Sequence, residues 1–562
     1  MLEKQITFRM KSTKNKSIDQ LKIIKSTVII ISFTIICGSM STAIEEISKN
    51  ISGGKPYKAF SQTDHQIDLP DPLIAEAYEK ASSQNVLAAV NPDIFFGYFS
   101  VCADGIGFGY GYTYPSLDGH QMSDALLWLG KIDIVKANWE YVKMFQRENG
   151  ELPLAILPDM AGKLIGPPGF QAPVDHNGGL YRHWVPGNPL RALAGVTYIQ
   201  NANIIFRFTH DYAWLTANIH SINLSGDNLA SLVTENGSVG GAGYYIERPV
   251  RIEYDGVSQC HAIDAFYRLS ALNGLTGDQK AEQKYYDLAR LIEQNFRTNF
   301  WMKDHFAEYI NPERGKIDTH GLTDTDWSAI ATRAATDEQI KLLWPKLKDE
   351  KRFYYNGMPT GIATLPEKYE KWESTYFDNQ DLAAMGRVWY LEARARFNMN
   401  DADGLVETIR SVCKAGRDSG YYWRERYNAK GGYGAKKYNE YPANLIRIIQ
   451  RFLLGVEFGL DGTLCLAPVA PEEFWEAGFG QTLSWQDARI SYKIKTGIVQ
   501  GNYSGKSVCK LSVRLKTLQN GKQFRTVING LEEKTEIKGD TISIVLPASA
   551  AGKETSFEIR QY

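Results

Sequence analysis

The spacing of apolar residues changes once along this chain, and that change limits the fold more than any other feature. From Pro72 to Gly459 apolar residues recur at i, i+3 and i+4; after Asp461 they recur at every second position. Side chains share a helix face about every 3.6 residues and a strand face every two, so the first stretch reads as helices and the second as strands. The helical stretch comes in pairs: Met122–Gly130 with Ile134–Asn149, Leu190–His210 with Ala213–Leu224, and Ser258–Asn273 with Gln279–Asn299. Asp324–Ala334 with Asp337–Leu347 and Asp378–Phe397 with Ala402–Ala415 follow, a first helix covers Pro72–Ala89, and Pro442–Gly459 comes last. Joints such as Asn273-Gly274-Leu275-Thr276-Gly277-Asp278 and Asn398-Met399-Asn400-Asp401 are short, which makes successive helices antiparallel. Stacked hairpins bury one another's apolar faces, and long Gly- and aromatic-rich connections on alternate turns favour closure into an (α/α) toroid over an open solenoid. Beyond Asp461, runs such as Arg489–Lys495, Leu511/Val513/Leu515 and Ile542/Ile544/Leu546 alternate between turn signals at Asn520-Gly521, Asn529-Gly530 and Gly539-Asp540. This predicts a small antiparallel β-sandwich. The expected fold is therefore mainly α, a six-hairpin toroid over 71–460 followed by a β-sandwich over 461–562.

The first 70 residues fall outside that scheme. Residues 1–25 are rich in Lys, Val28–Cys37 is an apolar run, and small residues lead to Ala43, the arrangement of a secretory leader over 1–42. The run is shorter than the roughly 20 residues of a membrane span, and bulky Ile36 argues against a lipoprotein signal at Cys37. No stable membrane span is expected, residues 43–70 read as a linker, and the protein reads as exported, periplasmic or extracellular. Without residues 1–42, 56 basic residues face 62 acidic ones, a net charge of −6. A mildly acidic chain lacks the basic footprint of a nucleic-acid binder, although a few local arginines can still hold a carboxylate. Cys102, Cys260, Cys413, Cys465 and Cys509 are scattered, with no CxxC and no Cys/His ligand spacing. That pattern predicts buried thiols, no metal and no cofactor.

Two stretches resemble a known superfamily. Tyr112–Pro153 resembles the opening hairpin of the six-hairpin carbohydrate-active enzymes, inverting glycosidases and polysaccharide lyases among them, and Leu453–Pro471 resembles their exit from the last inner helix into a β domain. The resemblance implies the toroid-plus-sandwich architecture and an enzyme acting on polysaccharides, without matching any single family. The chain departs from the hydrolase members where their general-acid signature would stand: Tyr244–Gly256 holds the carboxylates Glu247, Glu253 and Asp255 but not the signature.

The residues able to do chemistry lie in the Gly-, Asp- and Asn-rich connections. The loop Asp175–Trp184 carries His176, Tyr181, Arg182, His183 and Trp184, and further histidines are His120, His261 and His320. Arg or His can neutralise a uronate carboxylate while His or Tyr moves protons at C5 and at the leaving oxygen; equally, such histidines can cap helices at loop corners. His261 follows a helix start at Asp255-Gly256, where the positive helix end favours neutral imidazole. Late in the chain, Trp423-Arg424-Glu425-Arg426-Tyr427 and Tyr438-Asn439-Glu440-Tyr441 flank a Gly-rich loop. An inverting hydrolase would take an acid from the middle loop and a base from Glu425 or Glu440. Asp118 can cap the helix behind it, Asp324-Thr325-Asp326 reads as a helix start, and Trp372, Trp184, Trp423 and Tyr245 are candidate sugar platforms.

The first functional reading is β-elimination on uronate-containing oligosaccharides, as a lyase or a dehydratase at the non-reducing end. His183 or His261 would be the base and Tyr181 or Tyr254 the proton donor. His120, His176, Arg182, Trp184, Glu247, Arg424, Arg426 and Trp423 would hold the acidic oligosaccharide. The alternative is inverting glycoside hydrolysis through Glu247, Glu253 or Asp255 with Glu425 or Glu440. A second alternative is a non-catalytic glycan-binding protein.

Overall fold

The computed structural model describes residues 65–562 apart from 93–96, 105–113, 154, 157–190, 242–253, 351–353, 356, 360–368, 371, 374–382, 429, 517–522 and 550–552. All described residues belong to one compact unit, Gln62–Tyr562.

Among the described residues, twelve helices before the β domain alternate between two positions. One set is α2 (Ser116–Trp128), α4 (Leu193–Thr209), α6 (Gly256–Thr276), α8 (Asp324–Ala331), α10 (Gly386–Asn398) and α12 (Glu440–Ile448). Each of these packs on the next, and α12 returns to pack on α2, so the six close a ring. The other set, α1 (Pro72–Lys80), α3 (Ile132–Lys143), α5 (Tyr212–Ala230), α7 (Gln279–Asn295), α9 (Asp337–Leu347) and α11 (Ala402–Asp418), packs around it. Sequence accounts for the division. Every residue of α8 and of α12 is buried, which suits a helix covered on all sides. In α11 the buried residues Leu405, Val406, Ile409, Val412 and Cys413 form a single stripe and the opposite face is polar.

The caps are those the joints encode. Asp71, Asp211, Asp278 and Asp401 accept backbone N–H bonds at the starts of α1, α5, α7 and α11. At α8 the expected start moves back one residue: Thr323 is the cap, in a capping box with Asp326. Gly277, at φ +81°, ends α6 in the left-handed conformation that L side chains rarely adopt. The joints after the ring helices are short (129–131, 210–211, 277–278, 332–336 and 399–401), whereas those before them are long (87–115, 144–192, 231–255, 296–323, 348–385 and 419–439). In a ring of antiparallel hairpins the long connections gather at the N-terminal ends of the ring helices.

Two expectations need correction at the domain boundaries. The last ring helix becomes a π-helical turn over Ile449–Leu453 and ends there; Val456–Phe458 and Leu464–Leu466 are already strands. Gln66–Asp68, expected to be linker, pairs antiparallel with Phe479–Trp485 as the edge strand of the C-terminal sheet. Apolar spacing cannot find so short an edge strand, because only Ile67 turns inward. The β domain has a seven-stranded and a five-stranded sheet. Their inward residues, such as Ile490, Tyr492 and Ile494 from one and Leu511, Val513, Ile542 and Ile544 from the other, join one apolar core. The pairing is antiparallel except that Cys509–Arg514 runs parallel to Leu464–Leu466.

Candidate active site

The N-terminal rim of the ring concentrates carboxylates. Glu440 opens α12 and is bound by Arg387 of α10, with Nε to Oε1 at 2.8 Å and Nη2 to Oε2 at 3.2 Å. The Arg387 backbone N–H also donates to Oε1. Gly386 permits this approach, since a Cβ there would lie 3.0 Å from the backbone of Glu440. Asp118, in the first turn of α2, lies 4.0 Å from the same guanidinium and is hydrogen-bonded by Tyr438. Burial pushes the Asp118 carboxyl up to about 6; Arg387 opposes this, and Glu440 and Glu425 reinforce it. Near neutral pH this acid therefore still holds part of its proton.

Glu425 comes from a β-hairpin, Arg424–Asn428 paired with Gly431–Lys436, so the Gly-rich stretch read as a loop is its second strand. The register shifts between Arg424 and Arg426, so Glu425 sits at a bulge, a device that re-aims a side chain. Its Oε2 accepts the Ala435 N–H at 2.9 Å, and Arg426 lies 3.1 Å from Oε1. Gly434, at φ +73°, leaves room for it: a Cβ there would meet Oε2 at 2.6 Å.

Below the rim a cavity of about 520 Å³ follows the ring axis. His120 and His261 line it, each inside a helix rather than in a loop. His120 Nδ1 is 2.6 Å from Asn201 Oδ1. Burial lowers His120 to about 4, with Arg447 adding to the effect. Burial lowers His261 to about 3 against the pull of Asp264, with Arg394 and His120 adding to the effect. Both imidazoles are neutral at pH 7, and such weak basicity makes His261 a poor proton acceptor.

A second buried group lies at the start of α8. His320 stands between Glu308, 2.5 Å from Nδ1, and Glu373, 3.0 Å from Nε2. Tyr369 and Tyr309 donate to those carboxylates at 2.6 and 2.7 Å. Burial would lower the imidazole, but the two carboxylates outweigh it and raise it to about 9. All three charged side chains are fully enclosed, so this group ties the rim loops together.

The remaining expected residues divide clearly. His176, Tyr181, Arg182, His183, Trp184, Tyr245, Glu247 and Glu253 lie outside the described residues. Tyr254 packs against the apolar core and does not line the axial cavity, so it does not meet His261 there. Trp423 is corrected outright: it is fully buried and donates to the Val412 carbonyl at 3.1 Å, leaving no face for a sugar. Trp372 is half-buried with Arg314 stacked 4.3 Å from its ring centre. Asp255 is buried as the cap of α6, bonded to Ser258 N–H and Oγ. Arg424 and Arg426 flank Glu425 on its strand. Arg387 was missed, because an arginine one residue into a helix looks like any exposed charge until the ring closes around it. None of the five described cysteines forms a disulfide. Among the described residues no helix is long and apolar enough to cross a membrane, and no His/Cys/Asp/Glu group is arranged to hold a metal ion.

No protein family matches this sequence, and no curated protein does. Solved structures do share its fold. The alpha-L-rhamnosidase from Dictyoglumus thermophilum superposes with TM-score 0.54 at 13% identity, over 89% of this chain and 50% of that one. The GH78 family rhamnosidase of Bacillus sp. GL1 gives 0.57 at 11% identity, over 78% and 40%. The Streptomyces avermitilis alpha-L-rhamnosidase complexed with L-rhamnose gives 0.55 at 10% identity, over 88% and 42%. The chain spans half or less of the length of these structures, and at such identities the likeness is one of fold: a ring of helices with a β domain.

Proposed function

We propose that this protein is an inverting glycoside hydrolase built on a six-hairpin toroid, with Asp118 as the proton-holding acid and Glu425 as the base. The observation that carries this reading is the rim group: one carboxyl raised to about 6, within electrostatic reach of a second carboxylate set at a strand bulge. Separation of acid and base roles by environment is what general acid–base hydrolysis requires. Asp118 would protonate the glycosidic oxygen, and Glu425 would take a proton from the water attacking the opposite face of the sugar. Glu440 and Asp255, the other described candidates, are committed to Arg387 and to the α6 cap. Arg387 would then hold Asp118 and Glu440 in place.

The elimination reading loses support from His261, whose basicity burial has removed. The fold neighbours make L-rhamnosides the first substrates to try, with uronate-containing oligosaccharides as the second set. The basic N-terminus and the apolar run after it support export.

The test is turnover of p-nitrophenyl α-L-rhamnoside and of acidic oligosaccharides by the wild type, Asp118→Asn and Glu425→Gln. Product anomers are read by NMR and unsaturation by ultraviolet absorbance. Hydrolysis predicts a new reducing end of inverted configuration, no new chromophore, and losses of about 10²–10⁴-fold in both variants. An absorbing unsaturated product, or full activity in both variants, would overturn the proposal.

A further inference from the structure

The lower half of the axial cavity is not used by the hydrolytic reading. It lies toward the C-terminal ends of the ring helices, next to the junction with the β domain, and its chemistry differs from that of the rim. The cavity lining holds eight arginines and three carboxylates among the described residues. Arg387 is committed to Glu440, and Arg333 and Arg514 are exposed near the junction. The five others reach the cavity from α4, α6, α10 and α12 with the turn that follows it. Their carboxylate partners are Asp124, Asp264 and Glu457, and Asn203, Asn444 and the Phe458 carbonyl accept further bonds from Arg207, Arg268 and Arg447.

The sharing is uneven. Asp124 takes both Arg447, at 2.8 Å, and Arg451, at 2.6 Å. Glu457, itself largely exposed, takes Arg207 at 2.8 Å. Asp264 takes Arg268 through two nitrogens, at 2.6 and 3.2 Å, while Arg394 reaches it by one 3.4 Å contact. Helix C-termini attract cations, which accounts for arginines at this end. It does not account for their outnumbering the acids inside a cavity, where uncompensated positive charge is costly. Guanidinium forks match tetrahedral oxyanions in geometry as well as charge. The cavity as a whole, about 520 Å³, lies in the range of small-ligand sites, which leaves room for a compact oxyanion among the lower arginines.

We infer that the lower axial cavity binds a phosphate or sulfate group, with Arg394 as its least committed ligand and Arg268, Arg447 and Arg451 around it. The site is separate from the rim and does not depend on the hydrolase reading.

Thermal unfolding of the full chain is followed at pH 7 in sodium phosphate, sodium sulfate and sodium chloride at matched ionic strength. Phosphate or sulfate should raise the melting temperature with a saturating dependence that chloride does not show. Arg394→Gln should weaken that binding at least tenfold, and Arg417→Gln, on the exposed face of α11, should leave it unchanged. In the wild type, phosphate should also slow phenylglyoxal modification of Arg394, read by peptide mass spectrometry, which requires no variant to fold. Glucose 6-phosphate binding more tightly than inorganic phosphate would assign the site to a sugar ester; weaker or equal binding would assign it to the free ion, and either result upholds the site. Equal effects of chloride and the oxyanions, unchanged affinity in Arg394→Gln, or unprotected Arg394 would overturn it.

Discussion

Replacing Glu440 by Gln gives the sharpest single test of how the rim is built. The carboxylate is enclosed, and it accepts the Arg387 backbone N–H and two guanidinium nitrogens. Gln is nearly isosteric and keeps one acceptor oxygen, so packing should survive. Its amide nitrogen would instead face Arg387 Nη2, and the buried guanidinium would be left with only Asp118, 4.0 Å away. Breaking one side of a buried ion pair costs about 3–5 kcal/mol. The retained oxygen places this variant near 3, and Glu440→Ala nearer 5. Equilibrium urea unfolding followed by tryptophan fluorescence measures the loss. The pH profile supplies a second reading. Glu440 helps to raise Asp118, and its removal frees Arg387 to favour the Asp118 carboxylate, so the pH at which Asp118 loses its proton should fall below about 6. The basic limb of kcat/KM should move to lower pH with it. Pairing the change with Arg387→Met should restore part of the stability, because removing both partners leaves no orphaned charge. A loss under about 0.5 kcal/mol, the size of a surface substitution, with an unmoved pH limb, would refute the argument.

Other predictions follow from the same geometry. His320, raised to about 9 from 6.5, contributes stability that is fully present below pH 6.5 and lost as pH rises toward 9. His320→Gln should therefore lose up to about 3 kcal/mol at pH 6 and flatten the stability profile between pH 6.5 and 9, checked by urea unfolding across that range; an unchanged slope would refute the charged triad. Gly434→Ala places a Cβ against the Glu425 carboxylate at a positive φ, so kcat should fall at least tenfold while circular dichroism stays native; unaltered kcat would show that Glu425 needs no such positioning. Trp423→Ala should destabilise by about 3–5 kcal/mol as a core deletion. Because it touches no substrate, KM for any active substrate should hold, and a KM change with little loss of stability would return Trp423 to the binding surface.

What could be read without coordinates was whatever repeats locally. The 3.6-residue period marked the helices, although several ends miss by six to eight residues, as at Asp378 against Gly386 and Asn149 against Lys143. The joints ending in Asp278 and Asp401 marked turns between helices, because such a turn is made by its own neighbours. The strands of the sandwich core were equally plain, since Ile490, Tyr492 and Ile494 alternate within seven residues. Features that depend on two distant segments left no such trace. The strand Gln66–Asp68 exists only because Phe479–Trp485 offers it an edge. The bulge that aims Glu425 depends on a register that the partner strand sets. Arg387 and Glu440 stand 53 residues apart, and the arginines of the axial cavity come from separate ring helices, so their meeting follows from ring closure alone. The sequence determined the elements and their order by local periodicity and capping. The tertiary structure decided which charges became neighbours, because burial and electrostatic coupling depend on distance in space, which one-dimensional spacing does not encode.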